Sequence, residues 1–198
     1  MVPKKLSIQD FDYPLPSEKI AKHPLQKRDE SKLLIYNKSS IEEDVFLNLA
    51  NHLPENSFII FNDTKVVEAR LLFKKDSGTT IEIFCLEPAN EYADITIAML
   101  QKKTVRWKCL VGNAKKKWKD ELLLKKIQSS KKEIILTAKK LSRQQDNFLI
   151  EFFWNDDTLS FAEALHLAGV IRLPPYMHRD AEDEDAVRYQ TIYAQKDG

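Results

Sequence analysis

The sequence predicts an α/β domain interrupted by a small antiparallel β-barrel, and three observations carry that expectation. Helix and strand patterns mix over residues 1–71. From Leu72 to Phe153, short β-rich runs recur between polar turns with no helical period, as in an antiparallel sheet or small barrel. After Trp154 the helical period returns. The expected domains are therefore 1–71 joined to 154–198, with 72–153 inserted between them.

Phe11-Asp12-Tyr13-Pro14-Leu15-Pro16 is extended, because proline excludes helix and restrains the residue before it. Ser17 is placed to cap a short helix over Glu18 to Ala21, ended by Pro24. Lys32 to Asn37 reads as a strand closed by a polar turn. Ile41 to Leu53 carries Val45, Leu49 and Leu53 on one stripe, which predicts a helix. Ser57-Phe58-Ile59-Ile60-Phe61-Asn62 reads as a buried strand. Within the insert, strands are expected over Thr80 to Leu86, Tyr92 to Leu100, Val105 to Val111, Glu133 to Ala138 and Phe148 to Phe153. Asp156, Asp157 or Thr158 would then cap a helix running through Phe161, Leu165 and Ala168 to a stop at Gly169. Leu173-Pro174-Pro175-Tyr176 is rigid and extended.

Hydrophobic residues are 43% and charged residues 31%, the balance of a soluble globular chain. Formal net charge is +1, but its layout is uneven. From Lys102 to Lys140 fourteen Lys/Arg face three acids, a local +11. The remainder carries 17 cations against 27 acids, or −10. Such asymmetry fits a polyanion-binding face on an acidic body, or a solvated lysine-rich surface. Only four glycines argue against phosphate loops. Cys85 and Cys109 form no motif and read as small buried hydrophobes. His23, His52, His166 and His178 lack ligand spacing, so no metal is expected. No signal peptide and no membrane span are visible, which makes the cytoplasm the expected location.

Asn62-Asp63-Thr64 offers an amide, a carboxylate and a hydroxyl at a strand's end, where α/β ligand sites gather. The same triplet also suits an Asx-turn. Glu82 alternates with Ile81 and Ile83; it could bind an amine or simply face solvent. Pro174 and Pro175 fix the backbone so that Tyr176 and Arg179 can stack and bind anions, or so that the chain can turn. Arg188-Tyr189-Gln190-Thr191 packs four polar chemistries together. Arg106-Trp107-Lys108 and Lys115-Lys116-Lys117-Trp118-Lys119 interleave cations with indoles, either to grip phosphates and stack on RNA bases or because the tryptophans are core.

Taken in order, these stretches resemble one family, the S-adenosylmethionine:tRNA ribosyltransferase-isomerases of queuosine biosynthesis. The resemblance rests on Asp10 to Pro16 with Ile20-Ala21, Pro24, Arg28 and Ser31 to Leu34. It continues in Phe61 to Leu71, Ile81-Glu82-Ile83, Leu173 to Tyr176, Arg179, Asp185 and Arg188 to Ala194. It covers the whole chain and is loosest through the basic insert. Lys65 and Lys32 stand where Arg is usual, and Arg172 where Pro is common. In the family the Tyr-Gln-Thr stretch is followed by much more chain. The resemblance therefore implies a fragment whose α/β part is incomplete, with the inserted β-barrel at 72–153.

The resemblance implies a reaction in which the ribosyl part of S-adenosylmethionine, the co-substrate, moves onto a 7-aminomethyl-7-deazaguanine at the wobble position of tRNA. Epoxyqueuosine, adenine and methionine are the products, and the full-length protein is expected to be monomeric. The sulfonium acidifies the neighbouring C5′ protons, so a base is required. The expected catalytic set is Asp63 and Glu82, as base or partner of the amine, with Tyr176 stacking on a base. Asn62, Thr64, Arg70, Pro175, Arg179, Tyr189, Gln190 and Thr191 are expected to bind substrate, the arginines holding anionic groups. Arg106, Lys108, Lys115, Lys116, Lys117 and Lys119 are expected on tRNA phosphates.

Overall fold

A computed structural model describes residues 6–112, 117–128, 132–171 and 173–196. The chain divides into two compact units, 1–61 with 173–180 and 62–172 with 181–198.

In the first unit a hairpin pairs β1 (Lys32–Asn37) with β2 (Ser40–Val45), Lys32 opposite Val45 and Tyr36 opposite Ile41. Its two-residue turn holds Lys38 and Ser39 at φ 44° and 82°, the left-handed pair that matches strand twist. The expected strand at 32–37 is therefore present. The expected helix over Ile41 to Leu53 is not: its first half is β2, and Phe46–His52 is a 3-10 helix. The hairpin ladder takes the backbone groups of 40–45, and Asp44 organises the turn that follows. One Asp44 oxygen accepts from Val45 N and Asn48 Nδ2, both at 2.8 Å, and the other lies 2.7 Å from His52 Nε2. Those partners, His52 foremost, hold the Asp44 carboxyl at about 2. The expected helix after Ser17 is reduced to a 3-10 turn, Ser17–Lys19. The expected strand at 57–62 is absent: these residues belong to no strand and are exposed, Phe58 90% and Ile60 83%.

The second unit is a curled antiparallel sheet. Its strands are β3 (Arg70–Lys74), β4 (Thr80–Pro88), β5 (Thr104–Val111), β6 (Leu123–Gln128), β7 (Glu133–Gln144), β8 (Asn147–Trp154) and β9 (Gly169–Val170). Their order is β6-β7-β8-β5-β4-β3-β9. Alternation decides which face is buried: Val105, Trp107 and Cys109 of β5 point inward while Thr104 and Arg106 are exposed. The curl brings Lys125 of β6 to the Leu72 carbonyl of β3, with Nζ donating at 3.3 Å. Burial pushes that ammonium below its ordinary range. Residues Tyr92 to Leu100, expected as a strand, instead hold helix α1 (Ile95–Met99), because Asp94 Oδ1 caps it by accepting from Ile97 N at 2.9 Å. Strand β6 carries no clear signature in the sequence because lysines mask its inward row of Leu123 and Ile127.

Helix α2 (Phe161–Ala168) forms as expected, capped by Ser160 rather than by the residues before it. Ser160 and Glu163 cap each other reciprocally, and those hydrogen bonds draw the Glu163 carboxyl down. Phe161 seats α2 on the sheet, its ring 5.0 Å from Trp107 and 5.6 Å from Phe152. The two cysteines are buried cross-strand neighbours, Sγ to Sγ 4.0 Å, and burial drives the Cys109 thiol up.

Ahead of α2, Asp156 is buried. It accepts from Thr158 N at 3.0 Å and Thr158 Oγ1 at 2.7 Å, and lies 3.0 Å from Lys132 Nζ. Thr158 first and Lys132 next hold its pKa at about 2, against an ordinary value near 3.8. A folded pKa below the unfolded one gives stability that is complete above the unfolded value and is lost as pH falls towards 2. Asp156→Asn should therefore flatten the loss of thermal stability between pH 4 and pH 2, with little change in that slope above pH 5. Melting curves across that range check this.

Candidate functional site

In the second unit the site is a ledge of two chain segments distant in sequence. Asn62 Oδ1 accepts from Thr64 N at 2.9 Å, so the turn reading of that motif holds for the amide. The Asp63 carbonyl accepts from Gln195 N at 2.7 Å and Lys196 N at 3.0 Å, and its carboxylate lies 2.9 Å from Lys196 Nζ. Lys65 N donates to the Lys196 carbonyl at 2.8 Å, closing a parallel bridge between Thr64 and Lys196. Gln190 clips the ledge together: Oε1 accepts from Val66 N at 2.7 Å, and Nε2 donates to the Val66 carbonyl at 3.0 Å. Thr191 Oγ1 reaches the Asn62 carbonyl at 3.5 Å. Tyr189 caps helix α3 (Asp183–Arg188) and is partly exposed.

The backbone leaving this ledge enters β3 at Arg70. Arg70 Nη2 donates to Glu82 Oε2 at 3.2 Å, across the β3–β4 pair. Its Nε lies 3.0 Å from Glu82 Oε1, aligned too poorly for a hydrogen bond. Both side chains are partly buried. Glu82 is thus an ion-pair partner rather than a purely solvent-facing carboxylate. Neutralising one member leaves the other partly buried and uncompensated.

The first unit holds the other residues. Pro175–Met177 is a 3-10 turn; Tyr176 projects from it, largely exposed, and the Pro175 side chain lies outside the described residues. Ser17, Glu18, Ile20, Lys22, Tyr176, Met177 and His178 line a groove of about 410 Å³. His178 adopts a left-handed φ of 49°. Arg179 Nε donates to the Lys22 carbonyl at 2.7 Å and Nη1 to the Asp180 carbonyl at 3.0 Å, so this guanidinium ties the groove's two segments together.

The basic residues separate into two groups. Arg106 pairs with Glu151 at 3.0 Å and Glu91 at 3.4 Å, and Glu151 chiefly raises its pKa. Lys108 pairs with Glu87 at 2.8 Å. Lys117 and Lys119 are exposed, whereas Lys115 and Lys116 lie outside the described residues. Trp107 and Trp118 are each only 2% exposed, which removes both from any stacking on RNA. Lys140 Nζ lies 5.6 Å over the Trp118 ring.

A model of the family described as queuosine biosynthesis protein matches residues 8–198. The chain belongs to that family. A relative in Nitratiruptor sp., named S-adenosylmethionine:tRNA ribosyltransferase-isomerase, is 35% identical over 98% of this chain and 52% of its own length. Relatives of the same name in Pelobacter propionicus and Aquifex aeolicus are 32% and 31% identical, over 96% and 98% of this chain. The chain spans about half the length of the curated relatives it matches. No solved structure matches it.

Within this queuosine-family chain, the sequence singles out both halves of the ledge but not what joins them. Gln190 and Val66 are 124 positions apart, and nothing local marks their pairing. Lys196, the partner of Asp63, and the groove residues Ser17, Glu18 and Lys22 escape sequence reasoning for the same reason. Gln190→Leu removes both halves of the clip at similar volume and should cost about 1–2 kcal/mol, near the net value of two hydrogen bonds. Faster amide exchange at Val66 and Lys65, with the β4–β5 amides unchanged, is the expected signature.

Proposed function

We propose that this chain supplies the N-terminal half of an S-adenosylmethionine:tRNA ribosyltransferase-isomerase acting in the cytoplasm. The observation that carries the reading is the family match over 8–198, with the family-like stretches 62–66 and 190–191 meeting in one ledge. On this reading the part of the curled sheet that falls within 72–153 is the inserted barrel, within an α/β domain of 1–71 and 154–198.

The proposed roles follow from the geometry and from the demands of the reaction. Asp63, on a ledge open to solvent, serves as the base for the acidified C5′ proton. Lys196 Nζ lies 2.9 Å from its carboxylate. Glu82, oriented by Arg70, partners the attacking amine of the deazaguanine, which must be neutral to attack. Asn62, Thr64, Tyr189, Gln190 and Thr191 form the wall of the nucleoside pocket. Tyr176 stacks on a base, Pro175 fixes its turn, and Arg179 shapes the groove. Lys117 and Lys119, with Lys115 and Lys116 of the same run, contact tRNA phosphates. Arg106 and Lys108 are already ion-paired and contribute less.

A second reading follows from the half-length match: an RNA-binding half without chemistry of its own. The test incubates the chain with labelled S-adenosylmethionine and tRNA carrying the 7-aminomethyl-7-deazaguanine. Adenine release that Asp63→Asn abolishes is the expected result. RNA retained on a filter without adenine release overturns catalysis by this chain in favour of the binding half. Retention should fall steeply with salt, and a flat log K against log salt plot would remove the lysines from the tRNA contact.

A further inference from the structure

Two lysines of the curled sheet reach one loop, residues 117–121. Lys75 opens the turn after β3, where its amide donates to the Thr79 carbonyl at 2.9 Å. Its Nζ donates to the Lys117 carbonyl at 2.9 Å and lies 2.5 Å from Glu121 Oε1. Lys140 of β7 donates from Nζ to the Trp118 carbonyl at 3.1 Å and lies 3.6 Å from Asp120 Oδ1, over the Trp118 ring. That indole is buried, and its Nε1 donates to the Glu121 carbonyl at 2.9 Å. The Glu121 carboxyl is held below its ordinary range by Lys75 first, then by the amides of Glu121 and Lys119. Both acids of the loop are thereby taken up by cations of the sheet. Lys117 and Lys119, on either side of the indole, are exposed and have no ion pair among the described residues. Lys75 and Lys140 are mostly covered, their side chains 25% and 21% exposed.

We propose that Lys75 and Lys140 are positioning residues for tRNA: with the buried Trp118 they hold Lys117 and Lys119 outward as a preorganised pair that grips backbone phosphates. The proposal rests on the reading of Lys117 and Lys119 as phosphate contacts. It adds that the two lysines with the most partners act through the loop and touch no phosphate themselves. A loop fixed before binding loses little freedom when RNA arrives, so the anchors strengthen binding without adding a contact. Neutralising Asp120 and Glu121 from the sheet also keeps the loop's own acids from offsetting its lysines.

The test measures filter binding of unmodified tRNA to the 198-residue chain across a salt series, with amide exchange on the free protein. A Lys117→Gln, Lys119→Gln double variant should bind at least about tenfold more weakly at 0.1 M salt, with a shallower log K against log salt plot. Lys75→Met and Lys140→Met should each weaken binding roughly fivefold in the parent chain and less than about twofold in the double variant. Exchange at the Lys119 and Glu121 amides should quicken roughly tenfold or more in Lys75→Met, with the β4–β5 amides unchanged. Lys75→Arg, which keeps both donors and charge, should restore binding and slow exchange. Where a methionine variant melts early, glutamine at the same position takes its place. Equal losses in both backgrounds would make Lys75 and Lys140 direct phosphate contacts and overturn the proposal. Unchanged binding in Lys75→Met and Lys140→Met overturns it too, as does weakened binding in Lys75→Met without quickened loop exchange. Unchanged binding in the Lys117→Gln, Lys119→Gln variant overturns it by a separate route, because the phosphate reading of those two lysines then fails first.

Discussion

Phe161→Ala should destabilise the curled-sheet unit by about 3–5 kcal/mol, the range for deleting a fully buried phenylalanine ring. Phe161 has no solvent exposure, and three aromatic side chains surround it: Trp107, Phe152 and Trp154, the last at 6.1 Å. Those three come from β5 and β8, so the ring is the peg by which α2 closes the inner face of the sheet. The void left by alanine would be walled by stiff aromatic rings that relax little, which places the cost near the top of the range. Against a total domain stability of about 5–15 kcal/mol this is a large fraction, and the melting temperature should fall by about 10 °C or more. Phe161→Leu should recover much of the loss, since the site keeps most of its apolar volume. Urea unfolding followed by tryptophan fluorescence measures both. A loss below about 1 kcal/mol for alanine would mean that α2 is not pegged through this ring.

What the sequence makes legible follows the range of the forces involved. Strands β4, β5, β7 and β8 are visible because alternation is local: one row of each strand is buried and the next is wet. The same alternation explains the misleading basic-aromatic signal. Arg106-Trp107-Lys108 resembles an RNA-stacking run, yet it is the period of a half-buried strand, with the indole inside and cations outside. The acids that neutralise Arg106 and Lys108 lie on neighbouring strands and in the turn after β4, at separations of 15 to 45 residues. No composition window of the basic segment contains them.

The departures elsewhere have equally specific causes. Ile41 to Leu53 carries a real helical stripe, but β2 gains a complete ladder with β1, and Asp44 then commits its oxygens to the turn after it. Phe58 to Phe61 has the composition of a core strand, yet it forms no strand among the described residues. Its pattern predicts a buried strand, and the structure shows neither strand nor burial there, because both need partners that sequence alone does not supply. At the ledge the residue types are legible and the geometry is not. Gln190 stands out for its polar neighbourhood, while its observed work is to hold the backbone of Val66.

Gly169→Ala should cost about 2–4 kcal/mol, although alanine is ordinarily a safe exchange for glycine. The reason is space rather than backbone freedom, for φ at Gly169 is −77° and open to any residue. A Cβ there would lie 1.9 Å from the Glu68 carbonyl oxygen and 2.7 Å from that of Leu165. Both are backbone atoms, so no side chain can swing aside. Relief requires the end of α2 to move away from the chain entering β3, and Gly169 and Val170 pair there with Leu71 and Arg70. The shift would therefore loosen Arg70 against Glu82 as well as the sheet edge. Gly78 is the control. It sits at φ +80° in the β3–β4 turn, and a Cβ there would meet nothing within 4 Å, so only backbone strain opposes substitution. Gly78→Asn should be tolerated within about 1 kcal/mol, since asparagine accepts the left-handed region, whereas Gly169→Asn should be at least as damaging as Gly169→Ala. Equal effects of asparagine at the two positions would show that the approach of Glu68 to α2 does not explain the glycine at 169.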